Sequence, residues 1–377
     1  MNQPIKILHI INHLGNGGAE KNLYNLCRID NYNYHFVLVL IPGGVYFKPV
    51  TEITSGTLSI NIKKKRIKHV LKVIKEIRAI SPDIIQTWLY HSDLFGVLLC
   101  KLIKKPLVWS VRNNKLYNNT DHVLTIAIRK LLSFLSMKYP TYILYNSIEA
   151  KVEHEKKGYD KRKGLIVSNI LLMPKVMCKQ NSFQGLKKED FKNKTIFGMV
   201  ARAHKIKGHH DLLLSFKNAL RTCDDIHLCL IGNGISDSEI ILNYINDFGI
   251  KSNVTLFAET DRIFEFYEFI DVHILTSLSE SHPNVVIESM AIGVPNISTD
   301  VGNAKKIINE LGVIVKKRDV SSIKKAILKM HNDRKFNETS WKSLGDKCKK
   351  QIQSTYDNDI TLDYYNKIWR KKVKVLN

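Results

Sequence analysis

Ser277-Leu-Ser-Glu280-Ser-His-Pro-Asn-Val-Val-Ile-Glu288-Ser-Met-Ala-Ile-Gly-Val-Pro295 is the stretch from which the rest of the chain can be read. The runs on either side of it, Asp271-Val-His-Ile-Leu275 and Asn296-Ile-Ser-Thr299, are short and apolar, as buried strands are. Between them Pro283 suits the first turn of a helix, where its missing N–H costs nothing. Strand, loop, helix and strand form the unit of a parallel sheet covered by helices. Glu280 falls in the loop, and Glu288 falls about one turn inside the helix. The first-turn amides, with Asn284 and Val285 among them, make a ready anion site. Two carboxylates and a helix N-terminus on one wall suit a ligand with hydroxyls at both ends and phosphate in the middle. A nucleotide-sugar is such a ligand. The same spacing also describes a plain strand–loop–helix with two solvated glutamates.

Outward from this stretch the same unit recurs. Ile5-Lys-Ile-Leu-His-Ile-Ile11 runs into Leu14-Gly-Asn-Gly-Gly-Ala-Glu20 and then into a helical pattern. Gly17 and Gly18 there let the backbone approach a ligand closely. The spacing is not that of the dinucleotide-binding glycine motif. Strands follow at Phe36–Ile41, Asp83–Thr87, Pro106–Val111, Tyr142–Tyr145 and Leu165–Asn169. Residues at the C-terminal ends of strands line the crevice of an open α/β sheet, which places His91 and Arg112 on one rim. The second half restarts with Thr195–Val200, the loop Ala201–Gly208 and the strand Ile226–Ile231, which ends in Gly232-Asn233-Gly234. The expected fold is α/β, with two doubly wound domains facing each other across a cleft. The boundaries are an N-terminal domain over 1–170, a polar linker over 171–193 and a C-terminal domain over 194–358. A terminal helix over 359–377 is expected to pack back on the N-terminal domain.

The 377 residues carry a net charge of +23 and are 44% hydrophobic, enough for two cores. Residues 1–170 hold 26 Lys/Arg against 11 Asp/Glu, a net of +15, which leaves +8 for the rest. A basic face suits a phosphate-rich partner: an anionic membrane, nucleic acid or a diphosphate. A solvated Lys-rich surface is the plainer reading. The helical pattern from Lys63 to Ile80 has an apolar stripe with Lys63, Lys64, Lys65 and Arg66 at one end, so it covers the sheet, touches anionic lipid, or does both. The six cysteines stand alone, as in a reduced, cytoplasmic chain. Neither a leader peptide nor an apolar run long enough to cross a membrane is evident. Asp357-Asn-Asp359 spells a metal-binding DxD but sits at a helix start, where it is read as a cap.

Glu280 and Glu288, with seven residues between them, resemble the paired-glutamate motif of retaining GT-B glycosyltransferases of family 4, the glycosyl transferases group 1. The resemblance extends to the glycine loop Gly15–Glu20, to Gly198-Met-Val-Ala-Arg202 through Lys207-Gly208, to Leu230–Gly234 and to Thr299-Asp-Val-Gly302. It implies two Rossmann-like domains, the N-terminal one binding acceptor and the C-terminal one binding donor. Arg202 and Lys207 would neutralise the leaving diphosphate in place of a metal, so no metal or other cofactor is expected. Glu288 would hold the ribose hydroxyls, and Glu280 the sugar. Gly232, Asn233, Ser281, His282, Asn284 and Val285 complete the expected donor contacts. The sequence departs from the family at Ser281, at His282, at Asn303 and at Arg112, which stands where relatives often carry His. A guanidinium cannot share a proton near neutral pH, so Arg112 would act by charge or by binding acceptor phosphate. His91 then becomes the candidate for contact with the reacting sugar, against the alternative of a plain loop histidine.

What the resemblance implies is a bacterial surface-polysaccharide enzyme. It would move a hexose from a nucleotide-diphospho-sugar, UDP-linked by expectation, to a lipid-linked glycan in O-antigen or capsule assembly. It would work in the cytoplasm, peripherally on the inner membrane. The other readings are a nucleotide-sugar epimerase of similar fold and a basic nucleic-acid-binding protein. For the last, neither aromatic platforms nor a known module is present, so no nucleic-acid partner is expected.

Overall fold

Runs such as Lys6–Ile11 and Ile226–Ile231 are too continuously apolar for strands with one wet face, and parallel strands covered on both sides read this way. A computed structural model describes residues 3–61, 67–112, 123–173 and 182–371. The chain divides into two units. One comprises Met1–Leu172 with Tyr356–Asn377, and the other Met173–Thr355. Each is an α/β layer structure around a parallel sheet, as expected.

The first unit runs β1 (Lys6–Ile11), α1 (Gly18–Ile29), β2 (Tyr34–Val39), α2 (Phe47–Ile53), β3 (Gly56–Ser59), α3 (Ile67–Ile80), β4 (Ile84–Trp88), α4 (Tyr90–Ile103), β5 (Leu107–Val111), α5 (Val123–Ser136), β6 (Tyr142–Tyr145), α6 (Ile148–Glu155) and β7 (Gly164–Ile166). Its sheet order is β3-β2-β1-β4-β5-β6-β7, parallel throughout. One apolar layer packs Leu8, Ile85, Trp109 and Ile143 under α4 and α5, and the other packs Ile7, Ile84, Val108 and Leu144 on the opposite face. The alternation of neighbours between layers follows from the two-residue period of a strand. The sequence reading lacked α2, β3 and α6.

The second unit opens with the hairpin β8 (Ser182–Phe183) and β9 (Leu186–Lys187). Then come β10 (Thr195–Val200), α7 (His209–Leu220), β11 (Ile226–Ile231), α8 (Glu239–Phe248), β12 (Val254–Phe257), α9 (Ile263–Phe269), β13 (Val272–Leu275), α10 (Asn284–Ala291), β14 (Asn296–Thr299), α11 (Ala304–Ile308), β15 (Gly312–Val315), α12 (Val320–Phe336) and α13 (Glu338–Thr355). The parallel order β12-β11-β10-β13-β14-β15 repeats the doubly wound pattern of the first sheet. The expected linker over 171–193 is in part structure. Phe183 of the hairpin packs against Phe257, Phe266 and Phe269, which makes these residues part of the second unit. Residues 174–181 of that linker lie outside the described residues.

The last helix, α14 (Asn358–Arg370), belongs to the first unit. Asp357 caps it by accepting from the amides of Asp359 and Ile360, so the DxD text is a helix start. Trp369 Nε1 donates to Gln86 Oε1 at 2.6 Å, and Asn358 Nδ2 donates to the Leu171 carbonyl at 2.7 Å. The basic run Lys63–Arg66 lies outside the described residues.

Candidate active site

In the second unit β10 and β13 are neighbours from which the chain winds outward in opposite directions, so their C-terminal ends border the crevice of the sheet. Four loops meet there, at 201–208, 232–234, 276–283 and 300–303. Backbone bonds lock them together. Leu278 N donates to the Ile206 carbonyl at 2.7 Å, and Ala203 N to the Asn233 carbonyl at 2.8 Å. Thr276 Oγ1 donates to the carbonyls of Lys207 and Gly208 at 3.1 Å, and Thr299 Oγ1 donates to the Ser277 carbonyl at 2.6 Å. Gly208 has φ +73°, and a Cβ there would run into the Thr276 carbonyl. Gly302 has φ +49°, and a Cβ would come 2.5 Å from the Ser281 carbonyl and 2.7 Å from that of Glu280. Both positions therefore need glycine, for backbone conformation and for close approach.

These loops bring most of the expected donor-side residues together. Lys207 Nζ lies 2.6 Å from Glu280 Oε1, and Ser277 Oγ donates to the same oxygen at 2.7 Å. Arg202, on the same loop as Lys207, is exposed and makes no ion pair among the described residues. Glu288, expected one turn into the helix, is there and is 3% exposed. The hydroxyl of Tyr267 donates to its Oε2 at 3.1 Å. A buried carboxylate without donors is costly, and Tyr267 supplies Glu288 with a donor at this wall. Burial, reinforced by the Glu288 charge, pushes the Tyr267 phenol well up and keeps it a donor. Asn303 Nδ2 and His282 Nδ1 are 2.8 Å apart, so Gly302 lets two loops exchange a side-chain bond. Ser281 is buried, and Asn284 and Val285 are half-buried at the start of α10. Gly232 follows β11, and Asn233 Nδ2 donates to Glu259 Oε2 at 2.8 Å. His209, beside Gly208, is driven down to about 4 by burial and by the Lys207 charge, so it is neutral near pH 7.

In the first unit Gly17 caps α1 without a side-chain bond, and Gly18 is the helix's first residue. His91 sits on the first turn of α4, where a loop was expected, and is half-buried. Burial lowers its pKa, and among the described residues its ring has no hydrogen-bond partner. The turn before it is strained, since Leu89 has φ +70° without being glycine. Thr87 Oγ1 and Asp93 Oδ1, 2.5 Å apart, brace that turn, and burial holds the Asp93 carboxyl well above the usual range.

Arg112, expected on the rim, is held by partners within the first unit. It is 7% exposed, and its guanidinium donates to Tyr365 OH at 2.5 Å, Asn169 Oδ1 at 2.9 Å and the Val167 carbonyl at 3.3 Å, while stacking over Trp88 at 5.2 Å. It clamps the sheet rim to α14. Arg112→Ala is expected to lower unfolding stability by about 2–4 kcal/mol, because partners of a buried charge lose their donor. Arg112→Lys recovers little, lacking the planar fork. Denaturant unfolding measures this, and a variant as stable as wild type would reject the clamp.

Among the described residues, two side-chain groups have the composition of metal ligands. His9, Cys27 and His35 are buried together, but His9 Nε2 and His35 Nδ1 bond each other at 2.9 Å and His35 Nε2 bonds Asp30 Oδ2 at 3.1 Å. Cys223, Asp225 and His331 form the second group, in which the Lys335 ammonium already occupies Asp225. That group lies where β10 and β11 begin, the opposite edge from the four loops.

The model of the family "Glycosyl transferases group 1" matches residues 182–349, within the second unit. An uncharacterized glycosyltransferase of Methanocaldococcus jannaschii is 29% identical over 251 residues, which is 63% of this chain and 60% of that protein. The capsular polysaccharide biosynthesis glycosyltransferase CapM of Staphylococcus aureus is 25% identical over 78% of each chain. Among solved structures, Anabaena HepE in complex with UDP and glucose superposes with a TM-score of 0.80 at 16% identity, over 97% of this chain and 99% of that one. At that identity the likeness speaks to fold.

Proposed function

From the premise that the chain is a glycosyltransferase, with a glycosyl transferases group 1 match over residues 182–349, we propose that it transfers a hexose with retention from a UDP-sugar to a lipid-linked glycan in capsule or O-antigen assembly. The observation that carries the donor assignment is the Lys207–Glu280 pair beside the first turn of α10, with Glu288 one turn further along. UDP in the HepE complex and the capsule role in the CapM name support the choice of nucleotide and of pathway class.

In this reading Arg202 and Lys207 face the diphosphate, and its charge grows as the glycosidic bond breaks. A preorganised cation at that point stabilises the transition state more than the ground state, with no metal required. The amides of Asn284 and Val285 add a helix N-terminus to the same anion. Glu288 accepts from ribose hydroxyls. Glu280 is divided between Lys207 and the sugar, which fixes the ammonium and the donor relative to each other. His282 and Asn303, joined to each other, line the sugar side with Ser281. Asn233 and the Gly232 turn border the nucleotide. Gly17 and Gly18 and a neutral His91 serve the acceptor.

A panel of nucleotide-sugars tests the assignment. Uridine-linked donors are expected to raise the melting temperature and to be slowly hydrolysed, with release of the sugar in the donor's own anomeric configuration. Response to guanosine- or thymidine-linked donors alone would move the nucleotide assignment. Release of the inverted sugar would overturn retention.

A further inference from the structure

Three segments of the second unit meet at the edge of its sheet opposite the donor loops. Thr195 starts β10, Cys223 and Asp225 lie on the turn between α7 and β11, and His331 and Lys335 lie on α12. The Thr195 amide donates to the Asp225 carbonyl at 2.9 Å. Cys223, Asp225 and His331 bring one thiol, one carboxylate and one imidazole within 4.8 Å of one another. His331 is 3% exposed, while Cys223 and Asp225 are half-buried, so the cluster is held by the fold and reachable from solvent.

Both ring nitrogens of His331 are committed. Nδ1 lies 2.8 Å from Thr195 Oγ1, and Nε2 lies 3.1 Å from Asp225 Oδ1. The ring is therefore not aimed at Cys223 as an activating base, and the trio is no nucleophile with its histidine. It suits a cation. The Thr195 hydroxyl accepts from Nδ1–H as readily as it donates, and when it accepts, the Nε2 lone pair faces the cluster. A tetrahedron with metal arms of roughly 2.0–2.1 Å has edges of about 3.3 Å, close to the spacing of Nε2 and Oδ1. The Lys335 ammonium sits on the other carboxylate oxygen, Oδ2, which leaves Oδ1 for an ion. Imidazole and carboxylate thus each have an outer partner of the kind that orients metal ligands. The group of His9, Cys27 and His35 is arranged differently. Trp88 Nε1 donates to His9 Nδ1 at 3.3 Å, so the His9 nitrogen that faces His35 carries the proton.

We propose that Cys223, Asp225 and His331 bind one zinc ion, with water as the fourth ligand. Thiolate and imidazole beside a carboxylate select zinc over magnesium and calcium, which take oxygen ligands. Burial and the charges of Asp225 and Asp224 hold the Cys223 thiol above its usual pKa. A dication reverses that field, so the thiol gives up its proton to solvent as the ion binds. The ion pins α12 to the starts of β10 and β11 and stabilises the second unit. It lies away from the donor loops, and the inference stands independently of the donor assignment.

Titrations of the reduced full chain with cobalt(II) and zinc test it. Cobalt is expected to bind one to one, with a thiolate-to-cobalt charge-transfer band and the visible bands of a tetrahedral site. One equivalent of zinc should bleach both and raise the melting temperature. Cys223→Ser, a near-isosteric change at a half-buried position, should remove the charge-transfer band. Thr195→Val keeps all three ligands and should weaken zinc binding about tenfold through the His331 ring. Melting curves without metal check that both variants are folded. Lys207→Ala/Glu288→Ala should bind zinc as the wild type does, which separates this site from the donor site. A charge-transfer band that persists in Cys223→Ser, or that is lost in Cys27→Ser instead, overturns the proposal. So does a melting temperature that zinc leaves unchanged.

Discussion

Lys207→Ala is expected to slow turnover about 10²- to 10³-fold, the loss that follows removal of one preorganised donor from a developing anion. The Lys207 ammonium is 2.6 Å from Glu280, and its loop is held by bonds from Thr276 and Leu278, so the charge is in place before the donor arrives. Nothing has to reorganise as the diphosphate departs. The effect should fall mainly on kcat, because the phosphate charge is greater in the transition state than in the bound donor. Lys207→Arg keeps the charge and should recover part of the rate. Steady-state kinetics with melting curves on both variants are the measurement. An unchanged kcat in Lys207→Ala would remove this residue from the chemistry, and a loss that tracks only a lowered melting temperature would make the Lys207–Glu280 bond structural.

Glu288→Ala should act on binding. A hydrogen bond to a charged group is worth about 1.5–3 kcal/mol, so losing the ribose contacts weakens nucleotide affinity roughly ten- to a hundredfold. Part of the response is indirect, because Tyr267 loses its acceptor and becomes a buried unpaired hydroxyl. Tyr267→Phe separates the two effects. It keeps the Glu288 carboxylate, so it should weaken binding less than Glu288→Ala while disturbing the same buried pair. Calorimetric titration with UDP reports both. If Tyr267→Phe and Glu288→Ala weaken UDP binding equally, Glu288 matters through its packing and not through the ligand.

The parts of this molecule that were legible in the sequence are those written in local pattern. Continuous apolar runs marked the strands, because a parallel strand is buried on both faces and has no polar side to show. Pro283 and the spacing of Glu280 and Glu288 gave the loop-to-helix wall, since each lies within a few residues of the turn that positions it. Two of the elements that escaped carry weaker patterns. The helix α2 is seven residues of mixed character, and β3, Gly56–Ser59, has no strongly apolar residue except Leu58. Tyr267 was not legible at all. It reaches Glu288 across 21 residues, and nothing in Ile263–Phe269 distinguishes its hydroxyl from the surrounding aromatic core. The bond from Arg112 to α14 was hidden for the same reason. The position of Arg112 at the end of β5 is local, but its partner Tyr365 is 253 residues away on α14. A strand-end position marks a rim residue, and only the tertiary fold decides whether the side chain faces a ligand or another element.

The central claim is that the four loops at the ends of β10, β11, β13 and β14 form one site for a nucleoside-diphosphate sugar. Calorimetric titration of UDP into the wild-type chain and into the Lys207→Ala/Glu288→Ala variant tests it most directly. Saturable one-to-one binding by the wild type, and its loss in a variant that melts at the wild-type temperature, is the result this account predicts. Undiminished UDP binding by the folded double variant would contradict it.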